Sequence, residues 1–147
     1  MPHAREQTRK AVAAAVTGLT TTDTNVFDSR VHTPAEMPCL SVYSLTEETD
    51  DASREMGTTE EFRTLTIEIH ALAKAASGMD DELDTICAEV ELAMGADSTL
   101  AGLVIDTSYR GVEIEQTDEL DQPAGEARME WAILYRTDGA DPTTLIT

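Results

Sequence analysis

The apolar positions of this chain change period several times, and each change marks a different element. Thr8, Val12, Ala15, Val16 and Leu19 recur at helical spacing within an alanine-rich stretch. That pattern predicts an amphipathic helix from about Ala4 to Thr17, with Gly18 as its stop. After a polar turn, Asn25 to Val31 reads as a short strand. Pro34 and Pro38 then bracket a connection that cannot donate ladder hydrogen bonds at either proline. Leu40, Val42 and Ser44 alternate with Ser41, Tyr43 and Leu45, the period of a strand. From about Glu47 to Glu61 the chain is acidic, with Ala52 and Met56 its only apolar side chains. Such a stretch has nothing to bury, so the sequence predicts an exposed and mobile loop there.

The second half carries stronger signals. Between Arg63 and Ala73, Leu65, Ile67, Ile69 and Ala71 fall on one side of a strand, and Thr64, Thr66, Glu68 and His70 on the other, wetter side. Ser77-Gly78-Met79-Asp80-Asp81-Glu82 offers cap oxygens and first-turn carboxylates, which the positive end of a helix dipole favours. Leu83, Ile86, Cys87, Val90 and Met94 follow at helical spacing. Tyr109 to Gln116 alternates again, with Val112 and Ile114 opposed to Glu113 and Glu115. A polar insert from Thr117 to Gly125 leads to a last strand, where Met129, Trp131, Ile133 and Tyr135 alternate with partners that are themselves partly apolar, as suits a central or covered strand. The segment from Asp138 to Thr147 reads as a loosely ordered tail whose apolar end, Leu145 and Ile146, would meet a neighbouring surface. The order helix, strand, strand, strand, helix, strand, strand predicts a single α+β domain over residues 1–147. Its sheet should be mostly antiparallel or mixed, with both helices packed on one face.

Composition narrows what such a domain does. The 147 residues suffice to bury a real core without disulfides or metals. No apolar run approaches the roughly 20 residues that cross a bilayer, and the polar N-terminus has no signal-like apolar segment, so no membrane role is expected and synthesis in a reducing cytoplasm is the default. Cys39 and Cys87 lie within apolar patterns and read as buried thiols rather than as a disulfide or metal pair. Charge is the unusual quantity: 29 acidic against 10 basic residues give a net charge of −19. A chain of that balance repels nucleic acid instead of neutralising its phosphates. Acidity of this kind serves solubility, reflects compositional bias, or forms a functional surface. The histidines His3, His32 and His70 stand in no metal-binding spacing, and no phosphate loop or nucleophile elbow is present. His70 reads as the same-face partner of Glu68 in a surface pair. Neither acidic run has the ligand alternation of a calcium loop. No catalytic residue, metal or cofactor is expected, and the chain reads as a protein that works by assembling with other subunits.

Taken whole, the chain resembles the tail terminator family of long-tailed bacteriophages, the group of lambda's minor tail protein U. The resemblance lies in element order. It runs from the helix Ala4 to Leu19, through Met37-Pro38-Cys39-Leu40-Ser41-Val42-Tyr43 and Arg63-Thr64-Leu65-Thr66-Ile67-Glu68-Ile69, to the helix Asp80 to Met94. It ends with Gly111-Val112-Glu113-Ile114-Glu115 and the strand Ala127 to Thr137. The resemblance implies a homo-oligomeric ring, typically of six subunits, in the virion at the tail–neck junction and assembled in the host cytoplasm. Such a ring caps the tail tube protein, stops its polymerisation and meets the head–tail connector or neck proteins, while DNA passes through without specific binding. On this reading Glu47, Glu48, Asp50, Asp51 and Glu55 are candidates for a lumen- or tube-facing acidic loop. Arg5, Arg9 and Lys10, three basic residues near the start of an acidic chain, are candidates for a subunit or neck contact. The alternatives are another tail-completion or head–tail joining protein, a monomeric ligand-binding domain, or an acidic protein that binds a basic partner.

Overall fold

The computed structural model describes residues 2–29, 37–49, 60–74, 78–117 and 124–147. Helix α1 spans Ala4–Ala15, strand β1 Val26–Phe27, β2 Cys39–Thr49 and β3 Glu60–Lys74. They are followed by helix α2 at Met79–Ala96, β4 at Asp106–Thr117, β5 at Ala124–Asp138 and β6 at Asp141–Leu145. The sheet runs in the order β1-β2-β3-β5-β4, with β6 paired to the far end of β5. Every pairing is antiparallel except that of β1 with β2. The α+β expectation therefore holds, with β3–β5 as the longest pairing and β2–β3 and β4–β5 flanking it.

Alternation decides which face is covered. Leu65, Ile67, Ile69, Ala71 and Ala73 of β3 are buried, as are Ala127, Met129, Ile133 and Tyr135 of β5, and the register Leu65↔Ile133 and Ile69↔Met129 puts both rows on one face. Leu40 and Val42 of β2 pair with Ala71 and Ile69 and extend that row. Helix α1 supplies Ala4, Val12 and Ala13, and α2 supplies Met79, Leu83, Ile86, Cys87, Val90 and Met94, all to the same core. Gly125 leaves room for α2 to pack closely: a β-carbon there would stand 2.7 Å from the Met79 sulfur and 2.9 Å from Leu83 Cδ1. Among the described residues no helix is long and apolar enough to cross a membrane.

Four boundaries differ from the sequence expectation. The acidic segment is strand at both its ends: β2 continues through Glu47, Glu48 and Thr49, and β3 begins at Glu60, with Thr49 opposite Arg63 and Glu60 opposite Asp138. Local composition predicts a loop because it lacks apolar residues, but these carboxylates find cations on their own strand and across the sheet and so can enter the ladder. Glu61 lies 3.4 Å from Arg63, and Glu60 lies 3.1 Å from Arg136. The remainder of the expected loop lies outside the described residues.

The expected loose tail forms β6. Asp141 accepts from Thr143 N at 2.9 Å and from the Thr143 and Thr144 hydroxyls, Gln7 Nε2 donates to the Thr143 carbonyl at 2.8 Å, and Leu145 packs on the core. Pro142 is tolerated because β6 is an edge strand. The first strand shrinks to Val26–Phe27, the part of Asn25 to Val31 that lies beside Leu40 and Ser41; Arg30 and Val31 lie outside the described residues. Finally, α2 starts from Gly78 in the left-handed region without a side-chain cap, leaving Asp80, Asp81 and Glu82 to meet the helix dipole.

Candidate assembly surfaces

The residues singled out by the sequence separate into distinct environments. Glu47 and Glu48, neighbours in the chain, point to opposite faces of β2. Glu47 pairs in register with Leu65 and so turns to the helix-bearing face, where its side chain is only 9% exposed. There it accepts from Arg5 Nη1 at 3.0 Å, from Arg63 Nη1 at 3.2 Å, and from the Tyr135 hydroxyl. Burial, then the hydrogen bond donated to Glu47, pushes the Tyr135 phenol far above its ordinary range. Glu47 is thus a structural anchor beneath α1 rather than part of an exposed loop. Glu48 is exposed on the open face, opposite Thr64. Asp50, Asp51 and Glu55 lie outside the described residues.

The basic group at the start of α1 divides as well. Arg5 is committed to Glu47, although that residue and Arg5 were assigned by sequence to different surfaces. Lys10 is exposed and paired within the helix to Glu6 at 3.2 Å. Arg9 is half-buried, and its Nε has no hydrogen-bond partner among the described residues. His3 caps the helix, its Nδ1 accepting from Arg5 N at 3.0 Å. Desolvation and the nearby Arg5 charge lower the pKa of His3, which suits its role as a neutral acceptor.

The open face of the sheet is polar and mostly anionic. His70 sits at its centre, 92% buried, and is more enclosed than its surface-pair reading implied. Its Nε2 lies 2.6 Å from Glu68, its Nδ1 lies 2.6 Å from Glu126 of β5, and the Tyr43 hydroxyl of β2 closes over the ring. Arg128 continues the network to Glu115 and Glu113 of β4. Four strands are tied together here by side chains whose partners lie mostly on other strands, a connection that sequence spacing reveals only for Glu68. Among the described residues, no grouping of three His, Cys, Asp or Glu side chains is arranged to hold a metal ion. Cys39 and Cys87 are free and buried, and desolvation raises both thiols to about 11.

The surface missed by sequence reasoning is the rim of the sheet. β4 is a terminal strand, and on its helix-bearing side Tyr109, Val112 and Ile114 are exposed, Val112 by 41% and Ile114 by 47%. Tyr109 leans on Trp131 at a centroid distance of 5.1 Å, leaving its outer side free. At the opposite rim, β1 covers only Leu40 and Ser41 of β2, so β2 from Val42 to Thr49 has no strand beside its outer edge among the described residues. Alternation in Tyr109 to Gln116 marks a half-buried strand, but nothing in that pattern tells which neighbour covers it.

Comparison with protein families places this architecture. The family model described as phage minor tail protein U matches residues 3–135, which is most of the chain. A comparison with curated proteins finds no match.

Proposed function

Because the chain belongs to the phage minor tail protein U family, and is therefore a structural component of the phage tail and of the virion, we propose that it closes into a ring on the end of the tail tube. In this reading six copies cap the tube, stop further addition of tube subunits and present a surface to the neck proteins that join tail to head. The role is geometric and needs no catalytic group. The observation that supports it is the pair of sheet rims without a neighbouring strand among the described residues, β4 on one side and the outer half of β2 on the other. Unlike surfaces on opposite sides of one subunit fit heterologous, head-to-tail contact, which forms a closed ring when the rotation between copies closes.

The charge of −19 per copy fits a channel through which DNA slides, because an acidic wall holds no phosphate. Glu48, with Asp50, Asp51 and Glu55 of the following segment, is our candidate for that wall, and Arg9 and Lys10 for contact with a neighbouring subunit or the neck. Native mass of the purified protein, alone and with tail-tube subunits, tests the proposal. A ring, or a species that forms on tube ends and halts their growth, is expected. A chain that stays monomeric and leaves tube growth unaltered would refute it, while a ring that binds the neck but does not stop the tube would favour a tail-completion role.

A further inference from the structure

Among the described residues, the two rims without a neighbouring strand match in strand direction and in the presence of a bulge. β2 is antiparallel to β3, β3 to β5, and β5 to β4, so β4 and β2 run in opposite directions. When copies repeat side by side in one orientation, β4 of one copy meets β2 of the next as an antiparallel pair. Both strands are bulged: β2 between Ser44 and Thr46, and β4 between Tyr109 and Gly111. If Ile114 lies beside Val42 and Val112 beside Ser44, the helix-bearing faces of the two copies are continuous. Gly111 then meets Thr46, Tyr109 meets Glu47, and the two bulges fall together, so the kinks that would otherwise interrupt a ladder coincide. Among the described residues, β1 blocks the outer edge of β2 only at Leu40 and Ser41, and β6 occupies the rim only beyond the start of β4, so no described strand stands in the way of this stretch on either side.

The side chains agree with the backbone. Among the described residues, every exposed large apolar side chain except Leu92 lies on or beside these two rims: Leu45 on β2, and Ile105, Tyr109, Val112 and Ile114 at β4. Arg110, the bulged residue of β4, is exposed and faces the open side of the sheet with Gly111 and Glu130, and no ion pair holds it among the described residues. Glu48, on that same open side of β2, is likewise exposed. In the register above, Ser108 stands beside Glu48 of the next copy, and the Arg110 side chain reaches that carboxylate on the diagonal.

We infer that a second copy of this chain docks on β4 through the outer edge of β2, so that Thr107 to Ile114 pair with Val42 to Thr49 and one sheet continues from subunit to subunit. Such β-augmentation satisfies the free backbone groups of both rims and covers their apolar row. It also disposes of a hazard, since a long unpaired edge otherwise invites uncontrolled association.

The inference rests on the ring reading, and the test separates the two. Ser44→Cys/Val112→Cys is oxidised under assembly conditions, alone and with tail-tube subunits, beside each single variant, while native mass is followed in parallel. The two native thiols are buried and contribute little background. A ladder of covalent oligomers from the double variant only is expected. Independently, Arg110→Glu and Glu48→Arg should each raise the concentration needed for assembly on the order of tenfold, and the double reversal should restore it. Oligomers that form without the covalent ladder and ignore both reversals would overturn the edge pairing and leave the ring intact. A chain that never assembles would overturn both.

Discussion

Removing the Glu47 carboxylate is the perturbation whose outcome the structure fixes most tightly. Glu47→Ala leaves three donors behind: Arg63, whose side chain is 13% exposed, the buried Tyr135 hydroxyl, and the more exposed Arg5. Arg63 keeps Glu61 at 3.4 Å, so its charge is not wholly abandoned. Breaking a buried ion pair costs about 3–5 kcal/mol, because the remaining charge is left without a partner in a place water scarcely reaches. The residual Glu61 contact places the expected loss near the lower end, about 3 kcal/mol. For a domain of this size each kcal/mol lowers Tm by roughly 2–4 °C, so a fall of about 10 °C is expected. Urea unfolding should show the loss as a lower midpoint at unchanged slope. Glu47→Gln, which keeps an acceptor for Tyr135, should recover part of it. Glu48→Ala, one residue away but exposed, should change the stability of the unassembled chain by less than about 0.5 kcal/mol. Equal and small effects at the two positions would refute the inward placement of Glu47.

Gly125→Ala should destabilise by about 1–3 kcal/mol, since its β-carbon would meet Met79 and Leu83 well inside contact distance; Met79→Ala in the same chain, read by urea midpoint, should relieve part of that strain. Cys39 and Cys87 should resist a thiol reagent near pH 8 in the native state and react promptly in urea. Because burial raises both thiols from 9.0 to about 11, the stability they carry is complete below pH 9 and is lost as pH rises towards 11, which an alkaline series of unfolding curves would reveal. Asp141 has the opposite sign. Its bonds from Thr143 and Thr144 lower its carboxyl from 3.8 to about 2, so its contribution is present above pH 4 and lost as pH falls through about 2. Asp141→Asn should flatten that acid dependence and loosen β6, seen as faster amide exchange at Leu145 and Ile146.

Several elements were legible in the sequence because their signal is local. Period-two alternation over Arg63 to Ala73 identified the central strand β3. Helical spacing from Leu83 to Met94 identified α2, and two-sided apolarity around Trp131 marked β5 as internal. The buried character of Cys39 and Cys87 followed from the patterns they interrupt so little. Element order was enough to suggest the family that residues 3–135 match. Where an element's stability comes from its own periodic burial, the chain alone announces it.

The tertiary structure decided what depends on partners far away in sequence. Glu47 reads as loop until Arg5, 42 positions distant, and Tyr135, 88 positions distant, converge on it. The ends of the acidic segment become strand because Arg63 and Arg136 compensate their charges across the sheet, and the tail becomes β6 because Gln7 and the end of β5 receive it. Which strands lie at the rims is likewise a property of topology. Alternation tells that β4 has an apolar side, but only the order β1-β2-β3-β5-β4 puts it at the rim with no further strand beside it among the described residues. Burial patterns are written residue by residue along the chain, whereas ion pairs and open edges exist only once the strands have taken their neighbours.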